Sequence, residues 1–345
     1  MKTKSAVLYE NSKPLVIQDL TIPKLKPGQV LVKISYTGIC HSQLNEIKGL
    51  KGEDKFLPHC LGHEAGGVVE KIGPNVTKVK PGDHVVLSWI KGSGMNVPST
   101  KYMNEKNQVV NAGAITTFSE YSVISENRVT PISKKMPLDR AALLGCAIPT
   151  GGGIIVNQID PEPGCSMLVV GVGGIGLSSV LLADIMKCNP IVAVDINDEK
   201  LKYAKKLGAT DILNSTKNDF VSFVRNLTEE LGVDYAIEAA GTKSTIEKSF
   251  ESVKWNGGLV VIAGNPPEGE KICIDPFELK GKKITGSWGG LTNPDVDIPK
   301  YIDMYLSGKL NLDDFITDRF RFEEINDALT LLDDGKILGR GIIEF

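Results

Sequence analysis

Residues 167–200 read MLVVGVGGIGLSSVLLADIMKCNPIVAVDINDEK. The apolar run Met167–Val170 has the length of a buried strand. Gly171-Val172-Gly173-Gly174-Ile175-Gly176 follows, a G-x-G-x-x-G run, and then an apolar helical stretch from Leu177 to Met186. A second apolar run, Ile191–Val194, ends on Asp195, 19 residues beyond Gly176. Strand, glycine turn, helix, strand and acid in this register form a dinucleotide-binding fingerprint. One glycine makes the tight turn, one admits a pyrophosphate to the backbone, and one packs helix on strand. The helix N-terminus offers unbonded N–H groups and a positive dipole end to phosphates. Asp195 is placed to accept hydrogen bonds from ribose hydroxyls and to repel a 2′-phosphate, which favours NAD over NADP.

The pattern around this stretch extends it into a domain. Strands are expected at 167–170, 191–195, 211–213, 234–238, 259–263 and 283–286. Helices are expected near 174–188, 197–207, 218–231, 243–254 and 275–280. Such alternation over 148–287 predicts a doubly wound parallel sheet, a Rossmann NAD-binding domain. The run Leu259–Gly264 is a candidate edge strand for pairing between subunits. Residues 1–147 read differently, with strands expected at Lys4–Leu8, Gln29–Thr37, Ala65–Ile72 and His84–Leu87. Turn signals such as Lys26-Pro27-Gly28 and Lys80-Pro81-Gly82-Asp83 divide them, and short strands with few helices predict a compact barrel-like fold. Lys91–Thr117 is polar and reads as a long loop. The tail, 288–345, shows a helix near 295–307, another near 322–334 and a final strand at Gly341–Phe345. Its simplest placement is back on the first domain, which is then discontinuous: 1–147 with 288–345.

Bulk properties exclude several classes. The 345 residues carry 41% apolar side chains and a net charge of −3, so ordinary cores are expected and no basic field points to nucleic acid or a membrane. No apolar run approaches membrane-spanning length. The N-terminal residues lack the apolar stretch of a signal peptide. Six cysteines are scattered without a C-x-x-C pair, which fits a reducing cytoplasm and thiols that are buried or metal-bound.

Three stretches carry metal-ligand chemistry: Gly38-Ile39-Cys40-His41-Ser42, Leu61-Gly62-His63-Glu64-Ala65 and Gly145-Cys146-Ala147-Ile148-Pro149-Thr150-Gly151. Singly, each has a plainer reading. A free cysteine is usually a small buried hydrophobe, and a His beside a Glu is usually an ion pair or a core hydrogen bond. Together, Cys–His–Cys from separate loops suits a catalytic zinc that keeps one position open.

These motifs, with VKPGDHV (79–85), VDIN and Lys200 (194–200) and GRGII (339–343), resemble the zinc-dependent medium-chain alcohol dehydrogenases over nearly the whole chain. The resemblance implies a GroES-like β-rich catalytic domain, a Rossmann domain and a site in the cleft between them. By position it implies that Cys40, His63 and Cys146 ligate zinc, and that Glu64 approaches the metal transiently during ligand exchange. It implies that Ser42 takes the substrate proton. His41 and Arg340 match pyrophosphate contacts, Lys200 a residue near the adenosine ribose, and Thr150 and Ile175 residues packed on the nicotinamide. With the glycines 171, 173, 174 and 176 and Asp195 they complete the cofactor set, and Trp89 is placed to line the substrate pocket, with Ala112 and Gly113 opening another wall. The implied activity is reversible hydride transfer between an alcohol and NAD, with zinc lowering the pKa of the alcohol. A homodimer or homotetramer is the expected assembly.

The chain departs from that family in three places. The four cysteines that bind a structural zinc in many members are missing, with Ser93, Asn96 and Ser99 near three of their positions, so one zinc per subunit is expected. Asn45 stands where a histidine usually relays the proton, and an amide is no base at neutral pH. Gln43 stands where an acid usually orients the zinc-bound histidine. These departures keep two rivals in view: a polyol or biosynthetic-intermediate dehydrogenase of the same fold, and a non-catalytic NAD-binding protein. Intact Cys40, His63, Cys146 and Ser42 argue against the second.

Overall fold

The computed structural model describes residues 1–113 and 115–345, in two compact units: Met1–Cys146 with Asn293–Phe345, and Ala147–Thr292. The class is mixed α/β, a GroES-like unit and a Rossmann-type unit.

In the Rossmann unit six parallel strands take the chain order third, second, first, fourth, fifth, sixth: Asp211–Asn214, Ile191–Asp195, Met167–Val170, Tyr235–Glu238, Leu259–Ile262 and Lys283–Gly286. Parallel strands covered on both faces read as continuous apolar runs, and Met167–Val170 is buried at every position. Leu168, Val170, Val192, Val194, Ala236 and Val260 pack with Phe220, Val224 and Phe250 from the helices. Leu259–Ile262 is not an edge, because Lys283–Gly286 pairs with it in parallel. The edge on that side is Lys283–Gly286, where three of four residues are exposed. The helix expected near 275–280 is only the 3₁₀ turn Glu278–Lys280. The unit extends to Thr292, because Gly290 packs against Pro149 and Thr150 and the Thr292 hydroxyl donates to Pro149 O at 2.8 Å.

The other unit joins a closed five-stranded barrel to a second sheet. The barrel closes through Lys2–Leu8, Val16–Thr21, Lys101–Met103, Val109–Ala112 and His59–Cys60. Two of its strands lie inside the expected 91–117 loop. Tyr102, Val110 and Ala112 are buried there against Val7, Leu20 and Leu31, too few apolar positions in a polar stretch to show as strands in sequence. Ala114, in the same stretch, lies outside the described residues. The second sheet runs Val129–Ile132, His84–Ser88, Glu64–Ile72, Gln29–Gly38, Arg340–Glu344, Ile316–Arg321, with Tyr121–Ser125 also on Gln29–Gly38. The C-terminal strand is thus an interior strand, antiparallel to Gln29–Gly38.

Hydrogen bonds organise the 91–97 turn. Glu126, 1% exposed, accepts from the backbone N–H of Thr77 (2.7 Å), Lys78 (2.8 Å) and Met95 (2.9 Å). Burial alone would raise its pKa, but these donors and Lys78 hold it below the ordinary glutamate value. Asp295 pairs with Lys78 and accepts from Ser93 N–H, and Asn96 Oδ1 accepts from Asn127 at 3.2 Å. Glu126→Ala strands three donors and is expected to cost about 3 kcal/mol, a melting shift of roughly 6–12 °C by calorimetry. The Glu126 contribution is present above the unfolded glutamate pKa of about 4.3 and fades as pH falls through the lower folded value. Glu126→Gln should therefore flatten the acid limb of the stability curve.

Candidate active site

Three loops of the barrel-containing unit converge. Cys40 precedes the helix His41–Ile47, His63 precedes the strand Glu64–Ile72, and Cys146 follows the helix Leu138–Leu143. Their ligand atoms all lie within 4.8 Å of one another. Local anchors explain the convergence. Ile39 N–H donates to Gly341 O at 3.1 Å, tying the Cys40 segment to the C-terminal strand. Gly62 holds a left-handed φ of 91°, and a Cβ there would lie 2.7 Å from Phe118 N, so only glycine turns the chain tightly enough to present His63. The Ser88 hydroxyl donates to Gly145 O at 2.8 Å and fixes the residue before Cys146.

Gln43, 2% exposed, links two of the three donors. Its Oε1 accepts from Cys40 N–H at 3.0 Å, and its Nε2 meets His63 Nδ1. That leaves His63 Nε2 as the ring nitrogen for a metal. Arg340 is 5% exposed and Glu64 fully buried, and their side chains form an ion pair. Burial would lower the pKa of Arg340, but Glu64, Cys40 and Cys146 outweigh it and hold the guanidinium charged. The two thiols differ. A hydrogen bond from Cys146 lowers Cys40 well below the usual thiol value, against burial and with help from His63 and Arg340. The same hydrogen bond, with burial, raises Cys146.

This donor set fits a zinc ion. Two thiolates and one imidazole are borderline-soft ligands of the number a catalytic zinc uses. Two thiolates and Glu64 outweigh Arg340 in charge, and a dication closes the balance.

The Rossmann unit has a matching cradle. Gly171 holds φ 88°, and a Cβ there would lie 2.7 Å from Ala240 N. A Cβ on Gly173 meets nothing within 4 Å, so the loop is open on that side. Gly174 begins the helix Gly174–Ile185, with Ile175 half-buried and Gly176 buried. Asp195 accepts from Val172 N–H (2.8 Å), Ile196 N–H (2.8 Å) and Asn197 N–H (3.0 Å), which sets its carboxylate at the glycine loop. Lys200 lies in the first turn of Asp198–Lys206, beside the Asn197 cap. The Thr150 hydroxyl is buried, with no partner among the described residues. These features fit a dinucleotide.

His41 is exposed on the first turn of its helix. Trp89 is half-buried against the β-core of Val30, Val32 and Leu87. A cavity of about 380 Å³ beside His63 is walled by the expected Ala112 and Gly113 together with Leu61, Phe56 and Ile115, with Glu46, His59, Ser99, Lys101 and Asn111 as its polar part. Sequence reading gave no role to Glu46, Asp54, His59 or Lys51. His59 Nε2 lies 2.7 Å from Asp54 Oδ2, and Lys51 Nζ lies 2.9 Å from Ser42 Oγ. The only sequence signal for Lys51 is a basic residue one turn beyond the helix that carries Ser42.

Residues 26–134 match the family described as alcohol dehydrogenase GroES-like domain, and residues 174–307 the one described as zinc-binding dehydrogenase. The chain is 33% identical to an alcohol dehydrogenase class-3 of Drosophila melanogaster, covering 99% of this chain and 97% of that one. It is 31% identical to an alcohol dehydrogenase class-3 of Cereibacter sphaeroides, with both chains covered in full. Among solved structures, benzyl alcohol dehydrogenase from Acinetobacter calcoaceticus superposes with a TM-score of 0.90 at 29% identity, over 100% of this chain and 99% of that one. An alcohol dehydrogenase zinc-binding domain protein from Burkholderia ambifaria gives 0.92 at 29% identity, over the same shares. The chain belongs to the zinc-dependent medium-chain alcohol dehydrogenases, a family of NAD-dependent alcohol oxidoreductases.

Zinc ligation needs both thiols deprotonated, and Cys40 gives up its proton first. Zinc added to metal-free protein at neutral pH should therefore release about one proton per ion, read with a pH indicator in weak buffer. Affinity should rise with pH. Release of two protons would mean that Cys40 is not the standing thiolate.

Proposed function

We propose that this chain transfers hydride reversibly between a small alcohol and NAD at one zinc held by Cys40, His63 and Cys146. The convergence of those three donors beside the buried Arg340–Glu64 pair is the observation that carries the reading. When bound, zinc supplies the Lewis acidity that lowers an alcohol's pKa, and NAD supplies the hydride acceptor.

The chain's own side chains do the rest. Gln43 orients His63. Glu64 holds Arg340, and leaving that pair to reach the metal would cost several kcal/mol, so anchoring is its main task. Ser42 Oγ takes the alcohol proton. Asp195 selects NAD through the ribose hydroxyls, Lys200 supports it, and glycines 171, 173, 174 and 176 admit the pyrophosphate. His41 offers the phosphates a further contact, and Thr150 and Ile175 the nicotinamide. Arg340 has its charge committed to Glu64, so any contact with a phosphate would be a second use of a buried guanidinium.

Glu46, Ser99, Lys101 and Asn111 on the cavity wall favour a second reading, an alcohol with a further hydroxyl at its far end. A panel of ethanol, benzyl alcohol and polyols with NAD or NADP, before and after chelation, tests both. NADH formation that disappears with the metal and returns with zinc is expected. Full activity of metal-free protein would refute the reading, and faster turnover of the polyols would select its second form.

We also infer a homo-oligomer, acting in the reducing cytoplasm that six unpaired cysteines suit. The edge strand Lys283–Gly286 is flanked by exposed Trp288, Leu291 and Phe277, an apolar border that a second copy would cover. Trp288→Asp is expected to shift the mass in light scattering towards the monomer, and an unchanged assembly would move the interface elsewhere.

A further inference from the structure

We propose that Lys51 is the positioning residue through which Ser42 exchanges its proton with solvent. The inference rests on the reading of Ser42 given above. Asn45 provides no base at the helix position where the resemblance places the relay histidine, so the proton needs another outlet. Lys51 follows that helix, and its Nζ lies 2.9 Å from Ser42 Oγ and 3.1 Å from Glu46 Oε2. The titratable groups near it are Glu46 on the helix and, behind Glu46, His59 and Asp54. Glu46 Oε1 is 3.8 Å from His59 Nε2, which is 2.7 Å from Asp54 Oδ2. The Lys51 side chain is 46% exposed, so water reaches Nζ directly.

An ammonium has donors only. Lys51 therefore occupies a lone pair of Ser42 Oγ and leaves the serine O–H to point elsewhere, towards the reacting oxygen. In carbonyl reduction Ser42 gives that proton to the substrate oxygen while the carbon takes hydride from NADH. Ser42 Oγ takes a proton from the Lys51 ammonium, and the amine recovers one from water. In alcohol oxidation each transfer reverses: the Lys51 amine accepts the proton that Ser42 passes on, then releases it to solvent. Glu46 holds Nζ in place through both.

The test uses the zinc-loaded enzyme and the panel alcohol that it oxidises fastest. Lys51→Met is expected to lower kcat for oxidation by about 100-fold, with KM, zinc content and NADH binding little changed. Lys51→Arg keeps the charge and the donor but never gives up a proton, so it should be as slow as Lys51→Met. Methylamine should restore activity to Lys51→Ala in proportion to its concentration. In the zinc-free protein, the ¹⁵Nζ resonance of Lys51 should move in Ser42→Ala. Wild-type rates in Lys51→Met would overturn the proposal. Wild-type rates in Lys51→Arg would reduce Lys51 to a fixed charge, and absence of amine rescue would also reject proton transfer. Full activity in Ser42→Ala would instead sink the reading of Ser42, whatever Lys51 does.

Discussion

The buried ion pair between Arg340 and Glu64 is the constraint on which the site depends. A guanidinium with 5% exposure is tolerable only where negative charge surrounds it, and Glu64, Cys40 and Cys146 supply that charge. The relation runs both ways. The Cys40 thiolate and the Glu64 carboxylate would repel one another without Arg340. The pair also has a mechanical effect, because it pins the C-terminal strand across from the strand that begins at Glu64, and the Cys40 loop hangs from that strand through Ile39 and Gly341. Fold and electrostatics are therefore set by the same contact.

The Rossmann unit was readable because its signals are local. Apolar runs of four or five residues, a glycine turn and an acid at the end of the second strand all fall within 34 residues, and the sheet forms where those runs stand. Local signals failed where structure comes from partners distant in sequence. Lys101–Met103 and Val109–Ala112 are too short and too polar to show as strands, and they exist because the barrel closes through them. The edge on one side of the parallel sheet was misplaced by one strand, because 283–286 reads as a strand but nothing in its local sequence says that it pairs with Leu259–Ile262. At the site, the motifs named three candidate ligands that the structure brings within 4.8 Å of one another, but the ion pair of Arg340 with Glu64 was not legible. Burial of Arg340 against Glu64 depends on a strand pairing across some 300 positions of sequence. Lys51 was invisible for a similar reason, since only the fold brings Nζ to Ser42.

The 91–97 turn shows how a polar segment is held without thiolates. Glu126 accepts three backbone N–H groups, and Asp295 reaches Lys78 and Ser93 from another part of the chain. A buried carboxylate that accepts several amides organises a loop through directional bonds, as a metal would, but it stays in place whatever the metal supply.

The position of Arg340 also bears on biosynthesis. A ribosome makes a chain from its N-terminal side, so Cys40, His63, Glu64 and Cys146 all emerge while their counter-charge at Arg340 is still unmade. Until residue 340 leaves the exit tunnel, the nascent first half carries reactive thiols without the cation and the strand that enclose them. Closure of the metal pocket therefore waits on residue 340, whereas the dinucleotide cradle, 171–195, is made well before it.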